Sequence, residues 1–454
     1  MKKRMYKIMA LAMTAAMVVP MAAQTTAFAA DDKEITYWNI AVESPDKDIV
    51  TAAVDKFNKE TESGYTVNSV AIQNDTYKEK LVIAMSSGEC PDMYSSWSGG
   101  PMYEYIDSGF AQPIDDLLDQ SDIKDKLLDA AIEQGSYNGH VYAIPYLNVS
   151  LAGIFYNKDM FKQYGLEEPK TLADLENICA TLKENGITPF ALANASKWTG
   201  SMYFMSLAAR YGGLEPFQNA VAGTGKFTDD CFIKAGEKIQ EWVKNGYFPD
   251  GVNSLSEDDG QAKQLMYQET AGMLLCGSWY TGTFQTDSEE FYQKIGWFPF
   301  PAIDDSDADP TIQIGTVGDQ FISFNCEGDK LAAAFECAAD HLSDEVEDMI
   351  YSTGKIAPVK DAGDHISDPV VKEIFDAAQE ASSIQLWYDQ YLPTSVASAH
   401  LDGLQEVFGL TKTPQEAQEE MQKAMDEYLS TKSDSGAADD TAEEATDAAA
   451  DDAE

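Results

Sequence analysis

Positive charge, histidine and the punctuation of catalysis are what this sequence has little of. Among 454 residues, Lys+Arg number 31 against 77 Asp+Glu, a formal net charge of −46, and there are 4 His. A surface this negative repels phosphate backbones and anionic lipid headgroups, which argues against a nucleic-acid partner. Neutral ligands meet no such barrier. His140, His341, His365 and His400 form neither an HExxH pair nor a cluster, and no GxSxG elbow is present. "GTGKFT" at 223–228 resembles part of a phosphate loop, but Ala220 stands where its first Gly belongs and Phe227 follows the Lys, so it reads as a loop. "DDSDADP" at 304–310 alternates Asp without the turn Gly and closing Glu of a calcium loop. Cys90, Cys179, Cys231, Cys276, Cys326 and Cys337 make no CxxC and read mostly as free, buried thiols. No metal, cofactor or catalytic residue is expected. Paired carboxylates for glycoside hydrolysis stay open as an alternative, since nothing selects one pair among so many acids.

Long hydrophobic runs are also missing beyond the N-terminus, where a basic start, an apolar middle and "AFA" read as a secretory signal peptide over residues 1–29. No Cys lies near the cleavage site, so no lipid anchor is expected, and the chain is placed outside the cell or in a periplasm. Residues 433–454 are densely acidic and otherwise small, too polar to order themselves, and read as a disordered tail.

What is present is mixed α/β. "EITYWNIAV", "YTVNSVAI" and "PDMYSSW" read as strands separated by amphipathic helices, "SPDKDIVTAAVDKFNKE" with Ser44 and Asp46 as caps and "TYKEKLVIAMSSG" stopped by Gly88. That β-α-β-α-β opening implies a parallel sheet. "HVYAIPYL", "GIFYNKDMF", "AGMLLCGSW" and "KIGWFPFP" read as further strands, with helices between and after them.

Ligands of open parallel sheets sit beyond the carboxyl ends of the strands. Trp38 and Trp97 lie near two such ends. Of 7 Trp, Trp242 and Trp297 have apolar neighbours and read as core, while Trp38, Trp97, Trp198, Trp279 and Trp387 have polar or small ones. Indole faces stack on the apolar face of a pyranose, and carboxylates and amides bind its hydroxyls. Asp389 beside Trp387, with Glu43, Gln73, Asn148 and Gln320, supplies such groups, and Tyr280 follows Trp279. A caged ammonium is the other ligand this set could take, as in a polyamine or peptide.

Several segments carry a family resemblance over residues 34–430. "SSGECPDMYSSWSGGPMYEYIDSGFAQPIDDLL", "NGHVYAIPY" followed by "GIFYNKDMFKQYGLEEPKTLADLENICATLKENGITPFAL", "YQETAGMLLCGSWYTG", "IGWFPFPA" and "GKIAPV" resemble the extracellular solute-binding proteins of sugar ABC transporters, of the maltose-binding design. The resemblance implies an α/β, two-lobed, periplasmic-binding-protein-like fold with several hinge crossings and a ligand cleft between the lobes. Residues 30–143 and 301–345 would form the N-terminal lobe, and 144–300 and 346–432 the C-terminal lobe. It implies a monomer without enzymatic activity that binds an oligosaccharide and delivers it to membrane permease subunits. By position, Trp97 and Trp279 resemble the family's sugar-packing aromatics of the two lobes. "LWYDQYLP" resembles the late segment of the raffinose and isomaltooligosaccharide branch, so Trp387 would stack and Asp389 would bond hydroxyls. The alternative is a secreted glycan-binding module or glycoside hydrolase.

Overall fold

The computed structural model describes residues 33–451, with side chains described through Lys432. The expected signal peptide lies outside the described residues. The last helix, Pro414–Asp451, carries the backbone into the acidic segment, but the side chains of 433–454 lie outside those described, and so does the expectation of disorder there.

Two sheets organise the chain. In the first, β1 (Glu34–Asn39), β2 (Thr66–Ala71) and β3 (Met93–Ser96) are parallel, with the helices Asp46–Glu60 and Asn74–Ser87 as crossovers. Two short strands, β4 (Ser136–Tyr137) and β5 (His140–Val141), form a hairpin apart from it. β6 (Ala143–Tyr146) closes the first sheet beside a strand that arrives much later in the chain. The second sheet is built on β7 (Ser150–Asn157), β8 (Thr188–Phe190), β9 (Ala271–Gly277), β10 (Ile295–Phe298) and β11 (Gln313–Thr316). After β11 the chain returns to the first sheet as β12 (Gln320–Phe324), antiparallel to both β3 and β6. It ends in the second sheet with β13 (Ile384–Gln385), parallel to β11. Every residue of β7 and β9 is buried, as expected of apolar strands covered on both faces by helices.

The chain therefore changes sheet between Tyr146 and Ser150 and again between Thr316 and Gln320. Set beside the expected division, β6 lies with the first sheet and β11 with the second. The helix Asp344–Ser352 packs on Asp46–Glu60, so it too belongs with the first sheet.

Local chemistry explains two departures from the sequence reading. The strand expected over "GIFYNKDMF" stops at Asn157, whose Oδ1 accepts the N–H groups of Asp159 and Met160 at 3.0 and 3.1 Å and starts the helix Lys158–Tyr164. Ser44 does not cap the first helix: the cap position is Pro45 and carries no side-chain hydrogen bond. Gly88, in the left-handed conformation, ends the second helix as expected. Trp242 and Trp297 are core, the latter against Gly153, where a Cβ would stand 2.2 Å from the indole. All six Cys are free, and all but Cys90 are buried.

Candidate functional site

A cavity of ≈ 250 Å³ opens between the two sheets, at the crossings. The first sheet reaches it beyond strand ends: the loop after β1, the start of the helix after β2, and Trp97 after β3. From the second sheet come Trp279 and Tyr280 after β9, Trp198 at the head of the helix Trp198–Gly212, and the segment after β13. Of the residues chosen from sequence, Glu43, Gln73, Trp97, Trp198, Trp279, Tyr280, Gln320, Trp387 and Asp389 line this cavity.

Trp38 and Asn148 do not. Alternation along β1 turns Trp38 away, under the helix Asn74–Ser87 among Tyr77, Leu81 and Tyr94. Only the loop past Asn39 reaches the cavity from that strand. Asn148 is buried in the first crossing and works as a joint. Its Oδ1 accepts the N–H of Ile356 at 2.8 Å, its Nδ2 donates to Ser278 Oγ at 3.3 Å, and its backbone oxygen accepts the N–H of Asp319 at 2.7 Å.

The aromatic wall is continuous. Trp198 and Trp279 lie 6.0 Å apart, centroid to centroid, and Trp279 and Trp387 5.9 Å apart. The wall depends on a glycine: a Cβ on Gly277 would stand 2.0 Å from the Trp279 ring, so its absence lets that indole fold back over the end of β9. Trp387 is only 2 % exposed and forms the deep corner. Between Trp387 and Asp389, Tyr388 turns inward, stacking on Phe217 at 4.1 Å, while its N–H meets Met205 Sδ at 3.0 Å. This anchors the short helix Tyr388–Tyr391, which sends its neighbours Trp387 and Asp389 to the cavity.

Across the cavity, Lys78 Nζ lies 5.0 Å from the centre of the Trp97 ring and 3.5 Å from Asp389 Oδ2, a cation bridging two chosen residues on opposite sides. Other contacts join the two sides. Asp258 accepts the N–H of Asp75 at 3.1 Å, and Glu104 accepts from the N–H and Oγ1 of Thr394 at 3.0 and 2.6 Å. Gly99 and Gly100 admit the segment 390–392 against the first lobe: a Cβ on either would stand 2.3 Å from a backbone oxygen there.

Sequence reasoning missed a buried lysine and several half-buried carboxylates in the cavity. Lys355, 2 % exposed, pairs with Asp46. Burial pushes the Asp319 carboxyl up to about 7, opposed by Lys355 and assisted by Asp46. Burial likewise holds Glu257 up to about 7, against the hydrogen bond it accepts from Tyr280 Oη. Asp258 is raised by burial as well. Glu257 and Asp258 sit in an ordinary-looking acidic run, and nothing marked them. Asp319 had one available signal, its place beside the chosen Gln320. Among the described residues no group of His, Cys, Asp and Glu is arranged to hold a metal ion, and no helix is long and apolar enough to cross a membrane.

Two α/β lobes joined by repeated crossings around one cleft define a hinged binding protein. The match to a family model makes this specific. Residues 41–339 fit the bacterial extracellular solute-binding proteins, and the chain belongs to that family. It is similar to an uncharacterized ABC transporter extracellular-binding protein of Pyrococcus horikoshii, 32% identical over 228 residues, 50% of this chain and 50% of that one. It is also similar to the multiple sugar-binding protein of Streptococcus mutans, 30% identical over 178 residues, 36% of this chain and 39% of that one. A solved structure from work on xylan utilization by the thermophilic bacterium Caldanaerobius polysaccharolyticus superposes with a TM-score of 0.78 at 29% identity, covering 86% of this chain and 99% of that one. The chain spans about half the length of the curated relatives it matches, as in the Pyrococcus case.

Proposed function

We propose that this protein is an extracellular carbohydrate-binding protein that delivers an oligosaccharide to the permease of an ABC transporter. The observation that carries the reading is the cavity's composition. Trp198, Trp279 and Trp387 wall one side and Trp97 the other, with carboxylates and amides around them. Stacking surfaces flanked by hydrogen-bonding groups suit the two kinds of surface a pyranose presents. Similarity to the multiple sugar-binding protein of Streptococcus mutans supports sugar as the cargo, and the family's character supports binding without chemistry.

The mechanism is a population shift. A sugar held on one lobe gains the second lobe's contacts only when the lobes close, so the closed form is favoured by the difference. In that form the permease recognises it, and the chain acts as a monomer, secreted to the cell exterior or a periplasm.

Titration calorimetry of residues 30–454 tests this, with α-galactosides, α-glucosides, xylo- and manno-oligosaccharides and a polyamine control. The expected result is a micromolar or tighter hit with the sugar recovered intact by chromatography. Shortened products would convert the reading to a glycoside hydrolase, and heat from the polyamine alone would remove sugar as the cargo.

A further inference from the structure

The cavity's charges are matched unevenly. Each lysine that faces it already has an acid: Lys355 with Asp46, Lys78 with Asp389 at 3.5 Å, and Lys263 with Asp287 at 3.0 Å and Glu43 at 3.6 Å. The remaining acids have no lysine of their own. Glu257 accepts from Tyr280 Oη, and Asp258 accepts the N–H of Asp75. The carboxylate of Asp319, on the hinge between β11 and β12, makes no hydrogen bond or ion pair within the described residues, and only its backbone N–H is used.

Gln320, the next residue, is 3 % exposed, and its orientation is set from behind. Tyr146 Oη donates to Gln320 Oε1 at 2.9 Å, and Tyr146 is itself held by Ser95 Oγ at 3.1 Å and Tyr37 Oη at 3.2 Å. That bond engages Oε1 and fixes the amide's orientation, and no partner takes the Nε2 donors within the described residues. The hinge thus presents an unsatisfied carboxylate acceptor next to an oriented amide donor.

We infer that Asp319 is the specificity-determining acceptor of this site, that it takes a ligand group able to donate a hydrogen bond, a hydroxyl or a protonated amine, and that it closes the site to acidic sugars. The inference rests on the carbohydrate reading above. Asp319 is half-buried, and leaving so enclosed an acceptor unpaired costs free energy that a ligand donor relieves. A uronate would bring another carboxylate against Glu257, Asp258 and Asp319, whose own charged forms burial already disfavours. Borrowing a lysine for it would strand Asp46, Asp389 or Asp287 in turn.

Calorimetry at neutral pH with trimers of matched length separates the possibilities: xylotriose and triacetylchitotriose as neutral probes, the glucosamine trimer as the amine, and trigalacturonate as the acid. Binding of a neutral trimer assigns a hydroxyl donor. Tighter binding of the glucosamine trimer than of its acetylated form assigns an amine. Either fits, provided trigalacturonate gives no heat. Asp319→Asn, checked for a native thermal transition, should weaken the tightest hit by about tenfold or more, about 1.4 kcal/mol. Trigalacturonate binding within about threefold of the best uncharged trimer would overturn the inference while leaving the carbohydrate reading in place. A folded Asp319→Asn with unchanged affinity would do the same. If that variant does not fold, the uronate comparison on the unaltered protein decides alone. Silence from every trimer would remove the carbohydrate reading, and this inference with it.

Discussion

The side-chain oxygen of Asn148 accepts the backbone N–H of Ile356 at 2.8 Å, tying the first crossing between the lobes to a segment more than two hundred residues later. The same joint takes in Asp319 N–H and Ser278 Oγ, and Ser278 Oγ also donates to the backbone oxygen of Val149 at 3.2 Å. All of these side chains except Asp319 are buried, so each lost partner leaves an unsatisfied polar group.

Asn148→Ala should therefore destabilise the protein by about 1–3 kcal/mol, read as a lowered denaturant midpoint with an unchanged slope. A shift within error of zero would show that the joint carries no load and that water replaces it.

Glycine positions separate ligand binding from stability. Gly277→Ala sets a Cβ 2.0 Å from the Trp279 ring, which can swing into the cavity to make room, so affinity for the tightest oligosaccharide should fall more than stability does. Gly99→Ala is different. Its φ is +119°, and the Cβ would meet backbone atoms of Gln390 and Tyr391, which cannot rotate away. It should cost stability first, about 1–3 kcal/mol by thermal unfolding. The reverse ranking would mean that the 390–392 segment adjusts freely.

Trp387→Ala and Asp389→Asn should each weaken sugar binding by about 1–2 kcal/mol in calorimetry. Their stabilities should part company. Trp387 is nearly inaccessible and supports Trp279, so its truncation should also lower the melting temperature, whereas Asp389→Asn removes only a 3.5 Å pairing with Lys78. Full affinity in both variants would dismiss this corner as the binding site.

A pH dependence follows from the hinge. Burial raises the folded-state values of Asp319 and Glu257 to about 7, so each binds a proton more readily when folded. The stability each contributes is complete below the ordinary carboxylate range and is lost as pH rises toward about 7. Two buried histidines act in the opposite sense. Burial lowers His341 to about 4 and His400 to about 3, so their stability is present above the ordinary imidazole value and is lost as pH falls from there. The whole-protein profile mixes these slopes, and a variant isolates one. The melting temperature of Asp319→Asn, compared with the unaltered protein, should gain from the ordinary carboxylate range up to about pH 7 and level off above it. A constant gap would mean that Asp319 titrates as an exposed carboxylate does.

Much of the architecture was legible because periodicity and punctuation are local. The β-α-β-α-β opening, the Gly88 stop and the core placement of Trp242 and Trp297 follow from neighbours within a few residues. The polar-flanked tryptophans were legible for the same reason, and all but Trp38 line the cavity. Trp38 escaped because strand alternation sends it under a helix although its strand end points at the site. Asn148 has the composition of a ligand contact, yet its partners, Ile356, Ser278 and Asp319, lie far away along the chain. Among 77 acids Glu257 carried no mark and Asp319 only its place beside Gln320, since what distinguishes both is enclosure, and enclosure is made by both lobes together.

By itself, then, the sequence determined the run of strands and helices, the negative surface and the inventory of stacking and hydroxyl-binding groups. These depend on propensity, spacing and charge, which act over short range. Only the tertiary structure decided which of those groups meet. The crossings bring Trp97 opposite Trp279, Asp389 within reach of Lys78, and Asp319 beside a glutamine held by Tyr146. Hydrogen bonding and burial act over a few ångströms of space, and only folding sets which distant residues come that close.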